Sequence, residues 1–468
     1  MTNTYDLVII GGGAGAFAAA IKANELEAKI AMINAGLPLG GTCVNVGCVP
    51  SKTLLWAGEV MHNAKSHNLA GIELNVKKFD FNKVVSDELA LVERMRQEKY
   101  EKVLKHLEHV EFIEGQAKFI SEKEIQVNGE KLSAGKFIIA TGSTARTPDM
   151  KNIHKVGFIT HIEALKLKKQ PKELVIIGAG PLGVEFAQMF ARFGTKVTIL
   201  QRRDSILPFA EKELTQRLAE VLTQEGIAIK TGVKVKSASR KGNKKILLYE
   251  INGKTEEVTG DEILVAAGKT PNTKELGLDN AGVEVNEKQA VVVNKRFQTN
   301  KEHVFAVGDV TNLPLRLETT AGNEGTLAAE NALSGSKKGI DYHTVPYTIF
   351  TDPQLAGVGF TEDEQMKKTG TCACRTVSFA DIPKAIILRR TEGLIKMGID
   401  PKTKQILGVH ILAPNAGELI AQAMMLVKNK NTIDDVIGSL PMFPTLSEAI
   451  KIVALSFTKD ISKLSCCV

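Results

Sequence analysis

The sequence predicts an α/β chain in which two Rossmann-like dinucleotide-binding domains precede a C-terminal α+β domain. Three observations predict it. Leu7-Val8-Ile9-Ile10 runs into Gly11-Gly12-Gly13-Ala14-Gly15-Ala16 and an Ala-rich helical stretch, and the same order returns with Leu174-Val175-Ile176-Ile177 and Gly178-Ala179-Gly180-Pro181-Leu182-Gly183. First glycine and next strand end are equally spaced in the two units, Gly11 to Asn34 and Gly178 to Gln201. From residue 341 the repeat gives way to alternating segments at 345–350 and 393–398, which read as antiparallel strands, and to amphipathic helices at 416–428 and 448–457.

Bulk properties narrow the function classes. A chain of 468 residues exceeds one core, so about three domains are expected. Hydrophobic content of 43% with 24% charged residues describes a soluble globular protein. The net charge of +7 is spread along the chain, and Trp56 is the only tryptophan, so no basic stripe interleaved with aromatics points to nucleic acid. No apolar run reaches the roughly 18 residues of a membrane span. The start lacks the pattern of a signal peptide. The expected compartment is the cytoplasm, where the close pairs Cys43/Cys48, Cys372/Cys374 and Cys466/Cys467 point to redox or metal chemistry.

In the first unit Gly11, Gly13 and Ala16 occupy the small positions that let a pyrophosphate approach a helix N-terminus. The second strand, 29–33, ends at Asn34 where a ribose-binding acid is usual, and Asn still hydrogen-bonds a hydroxyl. Cys43 and Cys48 follow within Gly40-Gly41-Thr42-Cys43-Val44-Asn45-Val46-Gly47-Cys48-Val49-Pro50-Ser51-Lys52. Five residues of regular helix rise about 7.5 Å, whereas bridged cysteines need Cα atoms about 4.4–6.8 Å apart. A bridge here requires a distorted turn, expected from Gly47 and Pro50. Such a disulfide is the labile, electron-transferring kind.

Residues 81–107 have helical spacing, and 118–131 reads as hairpin strands. A buried strand ends in the small-residue turn Ala140-Thr141-Gly142-Ser143; 263–268 repeats that design, and 304–309 ends at Asp309. These strand ends read as crossings between domains. The expected division is a first nucleotide domain over 1–146 and 270–340, a second over 147–269, and a C-terminal domain with a short tail over 341–468. In the second nucleotide domain Gly178, Gly180 and Gly183 form the phosphate loop, and the strand ends in Gln201-Arg202-Arg203. Arginines without a carboxylate suit the extra phosphate of NADP, so NADPH is expected in preference to NADH.

Two dinucleotide units, the Cys-x4-Cys stretch, Ala-Thr-Gly-Ser, the turn Ala-x-Gly-x-x-Pro-Asn and Ala-Val-Gly-Asp together resemble the pyridine nucleotide–disulfide oxidoreductases, of the glutathione reductase and lipoamide dehydrogenase type. The resemblance covers essentially the whole chain. It implies FAD in the first unit, NAD(P)H in the second, and a homodimer through the C-terminal domain with a site completed by the partner subunit. It places Gly11, Gly13 and Asn34 at the FAD adenosine half, Thr42 and Lys52 near the flavin and its phosphates, and Asp309 at the ribityl or phosphate region. Glu185 matches the acid that pairs with Lys52. Cys48 is implied as the thiol facing the flavin and Cys43 as the interchange thiol.

One departure changes the expected substrate. Disulfide reductases of this family carry a general acid–base histidine in His-Pro-Thr-x-x-Glu, but here Phe443 fills that slot while Glu448 is retained. Phenylalanine cannot protonate a departing thiolate. At the other end of the chain, Cys466 and Cys467 are adjacent, with Cα atoms about 3.8 Å apart, too close for an unstrained bridge and suited to gripping a soft metal ion. This combination resembles the Hg(II)-reducing branch of the family, in which electrons pass from NADPH through FAD to Cys43–Cys48. The metal, arriving as a thiol complex, is handed from Cys466 and Cys467 of one subunit to Cys43 and Cys48 of the other. Phe443 and Phe158 are expected where that branch carries tyrosines near the metal path, and a separate N-terminal metal-binding domain is not expected. Cys372-Ala373-Cys374 reads as an incidental pair on a loop, with a metal clip as the alternative. The competing functions are a flavin disulfide reductase with an unusual substrate and a flavoprotein that sequesters soft metal without turnover.

Overall fold

The computed structural model describes residues 3–465. Cys466 and Cys467 therefore lie outside the described residues. The apolar run at the start forms β1 (Asn3–Ile10), whose residues Leu7 to Ile10 are all buried, as expected for a parallel strand covered on both faces. The chain continues through α1 (Ala14–Glu25), β2 (Ile30–Asn34), α2 (Gly41–Val46), α3 (Cys48–Ser66) and α4 (Phe81–Arg96) to β3 (Val110–Glu114) and β4 (Glu130–Ile139). Strands β3, β2, β1 and β4 lie side by side in parallel, and the hairpin strands at Lys118–Phe119 and Glu124–Val127 extend the far edge antiparallel.

The second glycine unit builds a separate sheet. Its core is β5 (Glu173–Ile177), α5 (Pro181–Arg192), β6 (Lys196–Leu200), β7 (Ala228–Lys230) and β8 (Glu262–Val265). The strands run parallel in the order β7-β6-β5-β8, with a three-stranded antiparallel sheet contributed by residues 234–260. The two connections that leave and re-enter this unit, Ser143–Ala145 and Lys269–Pro271, pair antiparallel. The chain then returns to the first sheet, where β9 (Val304–Ala306) pairs in parallel with β4. Here the strand is shorter than the sequence pattern implied: Gly308–Val310 is a 3₁₀ turn, so Asp309 lies beyond the strand. Behind it α6 (Glu318–Ser334) packs on α1.

The last third is a five-stranded antiparallel sheet. Its strands β10 (Tyr347–Ile349), β11 (Gln354–Gly359), β12 (Ala373–Ser378), β13 (Leu394–Ile399) and β14 (Ile406–Ala413) lie in the order β10-β11-β14-β13-β12. Between β11 and β12 lies α7 (Glu362–Thr369), and Ala416–Lys428 and α8 (Glu448–Leu455) supply helical cover, their apolar faces joining the same core as the sheet.

Helix α3 joins the parts. Leu54 is buried in one apolar cluster with Val184, Phe186 and Phe190 of α5 and Ile349 of β10. On α5 the buried Arg192 guanidinium takes Glu225 in a two-pronged pair at 2.7 and 2.9 Å, and Asp352 at 3.0 Å. That network ties the second nucleotide unit to the C-terminal sheet, and stranding one buried member would cost about 3–5 kcal/mol.

One local conflict remains in α4. Glu88 is fully buried, between the buried Val85 and Val92, and neither carboxylate oxygen meets a hydrogen-bond partner among the described residues. Burial pushes its carboxyl up from 4.5 to about 7. A folded value above the unfolded one means that the group's contribution is complete below about pH 4.5 and is lost as pH rises through about 7. The loss by pH 8 is on the order of 3 kcal/mol. Glu88→Gln is therefore expected to flatten the fall in thermal midpoint between pH 5 and 8. Superimposable pH profiles for native and variant chains would contradict this assignment.

Candidate active site

Helix α2 ends at Val46 and α3 begins at Cys48, with Gly47 between them at φ −131°, ψ −109°. A side chain at 47 is excluded, because its Cβ would lie 2.8 Å from the Thr42 carbonyl oxygen and 3.3 Å from the Cys43 Cα. The glycine lets the short α2 fold against the start of α3, and the thiols of Cys43 and Cys48 hydrogen-bond each other. Pro50 does not contribute to the break. It sits within the first turn of α3, where a missing N–H costs nothing.

The two sulfurs are not equivalent. Cys48 is exposed and Cys43 half-buried. The hydrogen bond from Cys43 pulls the Cys48 thiol below its ordinary value, and the Lys52 charge assists. The same hydrogen bond and burial push Cys43 up. As the first residue of a long helix, Cys48 also faces unpaired backbone N–H groups that favour a thiolate. Cys48 is thus the sulfur built to carry negative charge.

One turn along α3, Lys52 donates to Glu185 of α5 at 2.7 Å, and its ammonium lies 4.6 Å from the centroid of the Phe350 ring. The other oxygen of the buried Glu185 accepts from the Phe350 backbone N–H at 2.8 Å. One carboxylate therefore fixes the lysine and ties it to the C-terminal sheet.

The first glycine loop is shaped for close approach. Gly13 and Gly41 face each other so tightly that a Cβ on Gly41 would lie 2.7 Å from the Gly13 Cα. Gly11 and Gly13 thus lie in one loop with Thr42 on the adjoining helix α2, while Ala16 is buried beneath on α1. The first turn of α1 contains no acid to repel a pyrophosphate. Asn34 at the end of β2 donates to the Leu37 carbonyl at 2.9 Å and lies over Gly12. These features fit the phosphate–adenosine half of a dinucleotide such as FAD.

On the far side, Asp309 accepts from Ser143 Oγ at 2.6 Å and lies 3.8 Å from Lys269. Gly308 donates to the buried Glu324 of α6 at 2.6 Å, which holds the 3₁₀ turn in place. Thr141 and Asn272 exchange hydrogen bonds at 2.8 and 2.9 Å, and Asn272 donates to the Gly142 carbonyl at 3.0 Å. Thr141, Gly142 and Asp309 thereby meet at the paired connections.

The second glycine loop lines a cleft of about 1020 Å³ that includes Gly178, Gly180, Gln201, Arg202 and Arg203, together with Arg146, Lys234 and Lys269. Gly183 lies outside it, on α5, where a Cβ would strike the Gly178 carbonyl at 2.0 Å. Gln201 is buried and turned inward, accepting from the Arg202 and Ala179 N–H groups. Arg202 and Arg203 are exposed at the cleft rim.

At the sequence 442–448, Glu448 is buried and accepts from the Thr445 N–H at 3.0 Å. With Phe443 in the histidine slot, this carboxylate holds the turn. Phe443, Met442 and Leu440 are exposed.

Two features escaped sequence reasoning. Phe158 packs against His154 and the core of the second nucleotide unit. The aromatic beside the thiols is instead Tyr100, stacked edge-on against Phe17 at 4.9 Å. Its phenol is pushed up to about 12 by burial and by the charges of Cys43, Glu318 and Cys48. Tyr100 lies in a π-helical turn, Gln97–Glu101, that interrupts the expected continuous helix. Glu318, the first residue of α6, is the nearby acid whose charge adds to the rise at Cys43 and opposes the lowering at Cys48. Neither residue belongs to a motif. Only an isolated tyrosine among charged helical residues hinted at the first.

The sequence profile described as pyridine nucleotide-disulphide oxidoreductase matches residues 5–330, and that family's dimerisation-domain profile matches 345–454. The mercuric reductase of Staphylococcus aureus is 38% identical over 463 residues, covering 99% of this chain and 84% of that protein. The dihydrolipoyl dehydrogenase of Thermus scotoductus is 36% identical over 461 residues, covering 98% of each. Among solved structures, the HOCl-induced flavoprotein disulfide reductase RclA from Escherichia coli superposes with TM-score 0.85 at 30% identity, covering 97% of this chain and all of that one. A Cu(II) complex of the same protein gives 0.86 at 29% identity, covering 98% and 100%. With both profiles matched across its length, the chain belongs to the pyridine nucleotide-disulphide oxidoreductase family.

Proposed function

We propose that this chain reduces Hg(II), presented as a thiol complex, to elemental mercury at the Cys43–Cys48 pair at the expense of NADPH. The observation that carries the reading is the retained, charge-polarised thiol pair combined with Phe443 in place of an acid–base histidine. An organic disulfide substrate leaves as a thiolate that needs a proton. A metal ion passed between thiolates needs none. The naming of several full-length relatives as mercuric reductases supports the choice of metal.

FAD fits the first glycine loop, held by Gly11, Gly13, Asn34, Thr42, Lys52 and Asp309, and when bound it supplies two-electron transfer between the nicotinamide and the dithiol. The chain's own residues do the rest. Cys48 offers the thiolate and Cys43 keeps its own proton until the metal displaces it. Lys52, locked by Glu185, keeps a positive charge beside the site. In this reading Cys466 and Cys467 of the partner subunit grip Hg(II) and exchange it onto Cys43 and Cys48. Overall Hg(II) gains the two electrons that NADPH loses, leaving NADP⁺, elemental mercury and a proton. The exposed run of Leu440, Met442 and Phe443 supplies apolar surface for the partner subunit to cover.

The Cu(II) complex among the solved structures favours one second reading, turnover of a different metal ion. NADPH oxidation measured with Hg(II) and excess thiol, against Cu(II) and against organic disulfides, separates these. Turnover with chelated Hg(II) that falls at least tenfold in Cys466→Ala/Cys467→Ala is expected. Activity only with an organic disulfide, stoichiometric metal binding without NADPH oxidation, or unchanged turnover in the double variant would overturn the reading.

Nucleotide choice is tested separately. Arg202→Gln/Arg203→Gln is expected to raise the KM for NADPH at least tenfold, about 1.4 kcal/mol, with little change for NADH. Equal effects on both nucleotides would remove the phosphate-binding role.

A further inference from the structure

The pair Cys372/Cys374 is not the isolated loop pair expected from sequence. Cys374 lies in β12, and the two sulfurs are joined by a disulfide in this structure. Both residues are half-buried. The third ligand missing from the local sequence arrives through the fold: a Glu362 carboxylate oxygen and both sulfurs lie within 4.8 Å of one another. A fourth ligand atom stands next to them, since Gln365 Oε1 lies 3.7 Å from Cys372 Sγ. Gln365 is fully buried and oriented by donating to the Ile399 carbonyl at 2.7 Å.

Space over the sulfur is kept by Gly398, the residue opposite Cys374 in the β12–β13 register. A Cβ there would sit 3.5 Å from Cys374 Sγ and 2.5 Å from Gln365 Oε1. Positive charge is also at hand. Lys396, buried on β13, contacts Glu362 and is held as well by Glu213 at 3.0 Å and Glu211 at 3.3 Å. Glu362 can therefore leave Lys396 for a metal without stranding a buried ammonium.

We infer that Cys372 and Cys374, once reduced, form with Glu362 and Gln365 a second binding site for a thiophilic divalent cation, set in the C-terminal domain. Two thiolates and two oxygens make a four-coordinate set suited to a soft or borderline d¹⁰ ion. On binding, the two S–H bonds give up their protons and two sulfur–metal bonds form, with no change in oxidation state. The disulfide excludes the metal, and an exogenous dithiol opens the site by taking up the two oxidising equivalents. The bound ion then protects the pair from reoxidation. This inference is independent of the catalytic reading, because it uses none of the same sulfurs.

The chain has six cysteines, so Cys43→Ala/Cys48→Ala/Cys466→Ala/Cys467→Ala leaves only this pair. The FAD-loaded dimer of that variant, reduced with dithiothreitol, freed of it and dialysed against Cd(II), is expected to hold one ion per protomer. Adding Cys372→Ser should abolish binding. Glu362→Gln should weaken it about tenfold, the scale of losing a supporting ligand. Gly398→Ala should weaken it without removing any ligand, while the thermal midpoint reports that each variant is folded. Absent binding in the reduced variant that keeps only this pair, or binding unaffected by Cys372→Ser in a folded protein, would overturn the site.

Discussion

The break at Gly47 is the constraint on which the active site depends. An uninterrupted helix from Gly41 to Ser66 would hold Cys43 and Cys48 more than a turn apart. The absent side chain at 47 lets α2 fold back on the start of α3, close enough for the thiols to share a proton. The same break makes Cys48 the first residue of a new helix, so one backbone feature creates both the pairing and the asymmetry of the pair.

From that point α3 carries the geometry outward. Lys52 meets Glu185 across to α5, Glu185 accepts from the backbone at Phe350, and Leu54 anchors the same turn in the shared apolar core. The Arg192–Glu225–Asp352 network braces this assembly from behind. Helix α5 and the C-terminal sheet thus meet on α3, while the first glycine loop abuts α2 just before it, so the reactive stretch sits where the three parts of the chain meet.

The sequence made the repeated glycine units, the closeness of Cys43 and Cys48 and the Lys52–Glu185 pairing legible, because each rests on short-range spacing or a full-length resemblance. It did not reveal what the fold brings together from distant segments. The charge of Glu318 acts on the thiols from the start of α6, the thiols' charges act on Tyr100 at a helix end, and the π turn that carries Tyr100 has no sequence signature. Glu362 approaches Cys372 and Cys374 only because α7 packs beside β12 and β13. Asn34, expected at a ribose, holds its own turn through Leu37 in this structure, and Glu448, retained from a histidine motif, holds a turn through Thr445.

We propose that electrons delivered by the nicotinamide come to rest on Cys43 and Cys48. Anaerobic titration of the FAD-loaded dimer with NADPH tests it directly, in a background carrying serine at 372, 374, 466 and 467. The native pair should consume one more two-electron equivalent per protomer than the same chain with Cys48→Ser. Equal consumption by the two proteins would contradict the account.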